Sequence, residues 1–280
     1  MRAPALLVSV AAAALVAACG GGDEGSQAPT ATATPTATST PAATATIEPD
    51  AIHEMGQVPS GAPLPAPAST KVHDPNLLHA AFSSAETMWS HEFANANTPY
   101  RHASLTFFRS TVRTPCGEQS REVGPFYCPP AHAVYLNTAF FDALASQFGL
   151  SSGFAAGYIV AHEVAHHVQE LLGILSRRQA IDETDPAGAN ARSVATELQA
   201  DCFAGVWLHS VSARGELSTA DVDDILRAAT VVGDDFQRNQ AGAELAPETW
   251  THGSSAQRRQ WLSTGLEQGD PAVCDTFGGG

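Results

Sequence analysis

The chain has 280 residues, enough for one domain or two small ones, and carries 14 Lys and Arg against 29 Asp and Glu, a net charge of −15. That balance argues against nucleic acid or anionic lipid as a partner of the folded domain's own surface. Cysteine is sparse at five residues, and no Cys-x-x-Cys occurs, so a cysteine-built zinc site is not expected.

The N-terminus reads as an export signal. Met1 and Arg2 give a positive start, Ala5–Ala18 is nearly all apolar, and Cys19 follows small residues. The run is too short to span a bilayer as a stable helix. "VAACG" (Val16–Gly20) resembles a bacterial lipobox, in which residues 1–18 are removed and Cys19 carries the lipid. The alternative is a plain secretory signal with an incidental cysteine. Residues 19–70 are Gly, Ala, Thr, Pro and Ser with no periodicity, as in "TATATPTATSTPAATAT". Such a segment buries too little to offset its conformational entropy, so it reads as a disordered tether. Anchor and tether together place the protein outside the cytoplasm, on the cell membrane or cell surface, with membrane contact through the lipid alone. Removing residues 1–18 removes one Arg and no acid, which leaves 13 basic and 29 acidic residues and a net charge of −16.

The folded domain is expected over 71–280. "DPNLLHAAFSSAETMWSHEF", from Asp74, carries one apolar stripe at helical spacing. "SLTFF" (Ser104–Phe108) reads as a strand, a Cys-bounded Gly/Pro segment runs from Cys116 to Pro130, and "AVYL" (Ala133–Leu136) is a second strand. "TAFFDALASQFG" follows as a helix, with Thr138 as N-cap and Gly149 as stop. Ser151 or Ser152 caps a buried helix that Gly173 ends, and residues 174–190 read as polar and irregular. "ARSVATELQADCFAGVWLHSV" is helical. "STADVDDILRAATVVG" and "SSAQRRQWLSTGLEQGDP" each open on a capping box, Ser218 with Asp221 and Ser254 with Gln257. Few, early strands followed by many helices indicate an α+β fold, mostly helical with a small sheet. The four domain cysteines suit two disulfides in an exported protein. Of three possible pairings, Cys116–Cys128 and Cys202–Cys274 are favoured, the first because it closes a short loop.

The chemistry centres on "AHEVAHHVQ" (Ala161–Gln169). His162 and His166 are four apart and share a helix face, so both can bind one ion. Zinc takes neutral imidazole, and a catalytic site uses three protein ligands. Glu163 is placed to take a proton from water as general base. A bare His-Glu-x-x-His also arises by chance, but two imidazoles and a carboxylate buried in an apolar helix need a partner. The third ligand of a metzincin is absent, because 169 is Gln and 172 is Leu. "ELQAD" offers instead Glu197 as third ligand to a single Zn2+ and Asp201, four residues on, as acceptor for a ligand histidine. The alternative for that pair is a solvated charged face. His252 precedes a helix start and stands six residues before Arg258. Both suit stabilisation of an oxyanion by residue type. His167 lies off the ligand face, as a bystander near the ligands or at the surface, and His91, His102 and His132 have no supporting pattern.

Taken in order, "GPFYCPPAHAVYLNTAFF", "AHEVAHHVQ", "ELQADCFAGVW", "GDDFQRNQAG", "THGSSAQRRQW" and "GDPAVCDTF" resemble the bacterial neutral zinc metallopeptidases, over about Cys116–Phe277. The resemblance implies a compact zincin-like fold of the gluzincin type. It also implies the spacings reproduced by Glu197 with Asp201 and by His252 with Arg258. Ala165 departs from the glycine usual in that family. The expected activity is zinc-dependent endopeptidase hydrolysis of a peptide or protein substrate. The rival reading is an envelope lipoprotein that binds zinc without catalysis, and an aimed Glu163 separates the two. An extended substrate is expected to add to the strand around Ala133–Leu136.

Overall fold

The computed structural model of the chain describes residues 74–278. The export signal (1–18), Cys19 and the tether (19–70) lie outside the described residues. Among those described, no helix is long and apolar enough to cross a membrane.

Helix α1 (Pro75–Asn95) starts where Asp74 caps it, its side chain accepting from the Asn76 N–H at 2.9 Å with Pro at the first turn. Five short strands follow: β1 (Ser104–Phe108), β2 (Val112–Thr114), β3 (Gly117–Gln119), β4 (Phe126–Cys128) and β5 (Ala133–Asn137). β2 and β3 form a hairpin, while the main sheet has the order β1-β5-β4. β5 runs parallel to β1 (Ser104 opposite Ala133) and antiparallel to β4 (Phe126 opposite Tyr135). The strand expected to receive substrate is therefore the central one, with both edges paired. β4 is the outer strand on that side. The fold is α+β and mostly helical with a small sheet, as the sequence indicates.

Helix α2 (Thr138–Phe148) is capped by Asn137 rather than by the expected Thr138, and it ends at Gly149, φ 66°. Helix α3 (Gly153–Leu171) is capped by Ser152 and buried on nearly every side. It packs against α1, the sheet and, beyond them, α5 (Ala189–Ala213) and α6 (Thr219–Val231). A helix buried all round cannot use charged residues for solvation, so each polar group it carries must find a partner inside the protein.

Residues 174–190 are not irregular. Ile174–Thr184 forms α4, on which only Ile174 is buried. It shows no apolar stripe because ion pairs hold it: Arg192 of α5 reaches Asp182 at 2.6 Å and Asp185 at 2.8 Å. The seven-residue α7 (Asp234–Gln240) also escapes a periodicity reading, having no buried residue. α6 and α8 (Ser255–Gln268) open on the two capping boxes expected.

α5 and α8 cross at two glycines. A Cβ on Gly265 would lie 2.0 Å from the Cys202 carbonyl, and one on Gly205 would lie 2.3 Å from the Leu262 carbonyl. Only glycine lets the backbones approach so closely. That approach carries Arg258, at the start of α8, against Asp201 of α5. The disulfides pair as favoured: Cys116 with Cys128 and Cys202 with Cys274. The first ties the β2–β3 turn to the end of β4. The second holds the C-terminal segment on α5.

Candidate metal centre

One turn of α3 separates His162 from His166, and their rings stand 4.7 Å apart and nearly perpendicular. α5 crosses so that Glu197 meets both. Its Oε2 is 3.1 Å from His162 Nε2 and its Oε1 3.4 Å from His166 Nε2. The three side chains can each offer one ligand atom, all within 4.8 Å of one another. Two imidazoles and a carboxylate are the donor set of a catalytic zinc site, which leaves a fourth position open.

The far nitrogen of each imidazole is already in use, which leaves both Nε2 atoms directed at Glu197. His162 Nδ1–H donates to Asp201 Oδ1 at 2.9 Å. Asp201, wholly buried, also accepts from the Tyr158 hydroxyl at 2.7 Å and from Arg258 Nε and Nη2 at 2.7 and 2.8 Å. His166 Nδ1 meets Gln169 Oε1 at 2.8 Å. These partners fix tautomer and ring orientation, as metal ligands require. The residues present thus fit zinc.

Charge follows the same layout. Burial pushes Asp201 upward, but Arg258 and then His162 outweigh it and hold the carboxyl at about 2. Burial also opposes ionisation of Glu197, yet His166 and His162 bring it well below the usual carboxylate range. His162 is disfavoured as a cation by burial but is lifted to about 9 by Asp201 and Glu197. A metal that takes Nε2 must displace that proton, so metal binding and proton release are coupled.

Glu163 stands beside this cluster, 7% exposed, and has no hydrogen-bond partner among the described residues. Burial raises its pKa above the ordinary carboxylate value, with the nearby histidines opposing. It lines a cleft of about 510 Å³ together with His162, His166 and Glu197. α4 forms one wall of that cleft, and Phe126 and Tyr127 of β4 form another.

The chain matches, over residues 52–277, the family described as "Putative neutral zinc metallopeptidase". The chain belongs to this family. An Escherichia coli K12 protein, "Uncharacterized protein YpfJ", is 41% identical over 226 residues, 78% of this chain and 79% of its own. "Uncharacterized protein Rv2575" of Mycobacterium tuberculosis H37Rv is 44% identical over 189 residues, 64% of this chain and 63% of its own. No solved structure matches the chain. The family match begins at residue 52, inside the stretch read from sequence as tether.

Within this fold, the residues expected at the site do not all sit in one place. Glu163 joins His162, His166 and Glu197, with Asp201 behind them. Arg258 does not line the cleft. It is 4% exposed behind His162, with its donors on Asp201 and on the Val232 carbonyl at 3.1 Å. A guanidinium so committed cannot reach a developing oxyanion, and the geometry makes it the charge partner of Asp201. His252 does not line the cleft either, but it is half-buried and close enough to Glu197 for their charges to interact. Asp234, at the start of α7, holds the His252 loop. It accepts backbone N–H groups of Thr251, His252 and Gly253 at 3.0, 2.7 and 2.9 Å, and its Oδ1 is 3.3 Å from His252 Nδ1. Burial lowers the His252 pKa, but Asp234 and Glu197 raise it overall.

His167 is not at the surface. It is wholly buried, with Nε2–H donating to the Arg101 carbonyl at 2.5 Å and Nδ1 accepting from the Tyr127 hydroxyl at 2.9 Å. Burial lowers its pKa to about 4, so it is neutral and joins α3 to β4. His132, expected to be unremarkable, lines the cleft with a left-handed backbone, φ 46°. Tyr158 and Asp234 were assigned no role from the sequence, Gln169 counted there only against a metzincin ligand set, and His132 showed no supporting pattern. For Asp234 the signal was present: a Gly-Asp-Asp preceding a short polar helix.

Proposed function

We propose that the protein is a zinc-dependent endopeptidase, with one zinc ion held by His162, His166 and Glu197. Glu163 carries this reading: a nearly buried carboxylate without a partner, next to three converging ligands and open to the cleft. A site built only to store metal has no use for it. Bound there, zinc supplies Lewis-acid chemistry, polarising a carbonyl oxygen and making water acidic enough to release a proton near neutral pH. Glu163, made more basic by burial, takes the water proton and delivers it to the leaving amine. His252, steered by Asp234, donates to the developing oxyanion. Asp201 keeps His162 in the Nδ1–H tautomer, and Arg258 keeps Asp201 ionised. An extended peptide lies along β4, whose outer edge pairs with no other strand among the described residues.

The protein is further proposed to be an exported lipoprotein, with Cys19 lipidated and the domain held off the membrane by its tether. Two disulfides support an oxidising compartment. The test of function is direct. Zinc-loaded protein is incubated with a proteome-derived peptide mixture, and new termini are mapped by mass spectrometry. Internal cleavage that stops on chelation and returns with zinc is expected. A fully zinc-loaded protein that produces no new termini from peptides or unfolded proteins contradicts the reading.

A further inference from the structure

The two ligand histidines are oriented by different devices. His162 leans on a charged carboxylate. His166 leans on a side-chain amide, which has an acceptor end and a donor end, so something must decide which end faces the ring. We propose that Gln169 and Gln199 are positioning residues, a directional hydrogen-bond relay that fixes the tautomer of His166 from the C-terminal segment of the chain. This inference rests on the metal-centre reading above.

The direction is set at the far end. The Cys274 carbonyl can only accept, and Gln199 Nε2 meets it at 3.0 Å. Gln199 must therefore offer its amide there, which turns its Oε1 toward Gln169. Gln169 Nε2 donates to that Oε1 at 3.0 Å and to the Thr196 carbonyl at 2.8 Å. Both protons of the Gln169 amide are then committed, and Oε1 remains for His166 Nδ1 at 2.8 Å. An oxygen can only accept, so Nδ1 carries the proton and Nε2 presents its lone pair to the metal position. Turning Gln169 round would set oxygen against oxygen at Thr196 and at Gln199; turning Gln199 round would set oxygen against the Cys274 carbonyl and donor against donor at Gln169. Both glutamines are wholly shut from solvent, so water cannot replace a lost partner.

The relay is anchored at both ends. Thr196 immediately precedes the ligand Glu197, so Gln169 ties α3 to the turn of α5 that carries the third ligand. At its origin, Cys274 is held on α5 by the disulfide to Cys202, and Thr276 Oγ1 donates to the Ala195 carbonyl at 2.6 Å. The segment "GDPAVCDTF", far from the histidines in sequence, thereby acts on the metal site without touching it.

The test uses the full-length protein and reads zinc affinity by competition with a chromogenic chelator, alongside thermal stability. Gln169→Leu removes the acceptor and is expected to weaken zinc binding by about 10- to 100-fold. Gln199→Leu leaves the contact to His166 in place but removes its direction, and is expected to weaken binding in the same sense by a smaller factor. Gln169→Glu keeps an acceptor at Nδ1 and is expected to bind zinc close to the parent, even where it lowers stability. In the zinc-loaded parent, the His166 Nδ1–H gives a slowly exchanging downfield proton resonance, which is lost in Gln169→Leu and kept in Gln169→Glu. Zinc affinity in folded Gln169→Leu equal to the parent's overturns the relay. So does a loss of affinity in all three variants that simply follows their loss of stability. A parent that binds no zinc refutes the metal reading and the relay with it. A parent that binds zinc but cleaves nothing refutes only the peptidase reading.

Discussion

Arg258→Met is the perturbation that separates a charge partner from a catalytic group. Methionine keeps most of the volume and removes the cation. Asp201 would then lie wholly buried with only Tyr158 and His162 as donors, having lost charge-assisted bonds of 2.7 and 2.8 Å. Removing one member of a buried ion pair costs about 3–5 kcal/mol. Linkage gives a partial check, because holding the carboxyl at about 2 rather than at its ordinary 3.8 corresponds to about 2 kcal/mol. That figure counts only the preference for the ionised form, so it is the smaller. Its sign is that of a lowered acid: the stabilisation is present above pH 3.8 and is lost as pH falls toward 2. For a domain of this size, 3–5 kcal/mol lowers Tm by about 6–20 °C. Thermal and urea unfolding at neutral pH, repeated with Asp201→Asn and the double variant, measure the loss and the coupling. The double variant should be less destabilised than the sum of the single ones. An Arg258→Met protein that unfolds like the parent and binds zinc normally, yet loses hydrolysis, would refute the placement of Arg258 behind His162.

Two further perturbations test other parts of the fold. Glu92 is 1% exposed, its Oε1 has no hydrogen-bond partner, and burial with the nearby charge of Asp270 raises its carboxyl to about 7. The stability that goes with its protonated form is present below pH 4.5 and is lost as pH rises through 7, at a rate of at most about 1.4 kcal/mol per pH unit. Glu92→Gln should therefore gain about 1–3 kcal/mol on the parent between pH 5 and pH 8 in urea titrations; a pH-independent difference would count against this. The Cys202–Cys274 bridge spans 72 residues and Cys116–Cys128 spans 12. Loop-closure entropy makes loss of the first cost about 4 kcal/mol and loss of the second about 3, and paired Cys→Ala variants that reverse this order would contradict it.

Much of the site was legible because its signals are local. His162 and His166 are one helical turn apart, as are Glu197 and Asp201, so helix periodicity alone placed each pair on one face, with Glu163 next to the first histidine. Capping boxes marked α6 and α8, and β1 and β5 showed as apolar runs. What stayed hidden depends on tertiary contact. α4 has a single buried residue and is held by ion pairs with α5, which no periodicity announces. Spacing put His252 and Arg258 together, but the close crossing of α5 and α8 at Gly205 and Gly265 decides which of the two meets Asp201. Ala133–Leu136 was recognised as a strand, yet strand order, which a single segment cannot encode, made it central rather than outer. Gln169 and Gln199 are neutral and 30 residues apart, and each has meaning only through the other.

The proposed function requires that His162, His166 and Glu197 hold zinc while Glu163 moves the proton. Zinc per chain and peptide hydrolysis, measured side by side on the full-length parent and on Glu163→Gln, test it most directly. One zinc is expected in both, with a fall in hydrolysis of about 10²-fold or more in the variant. Undiminished hydrolysis by zinc-loaded Glu163→Gln would contradict it.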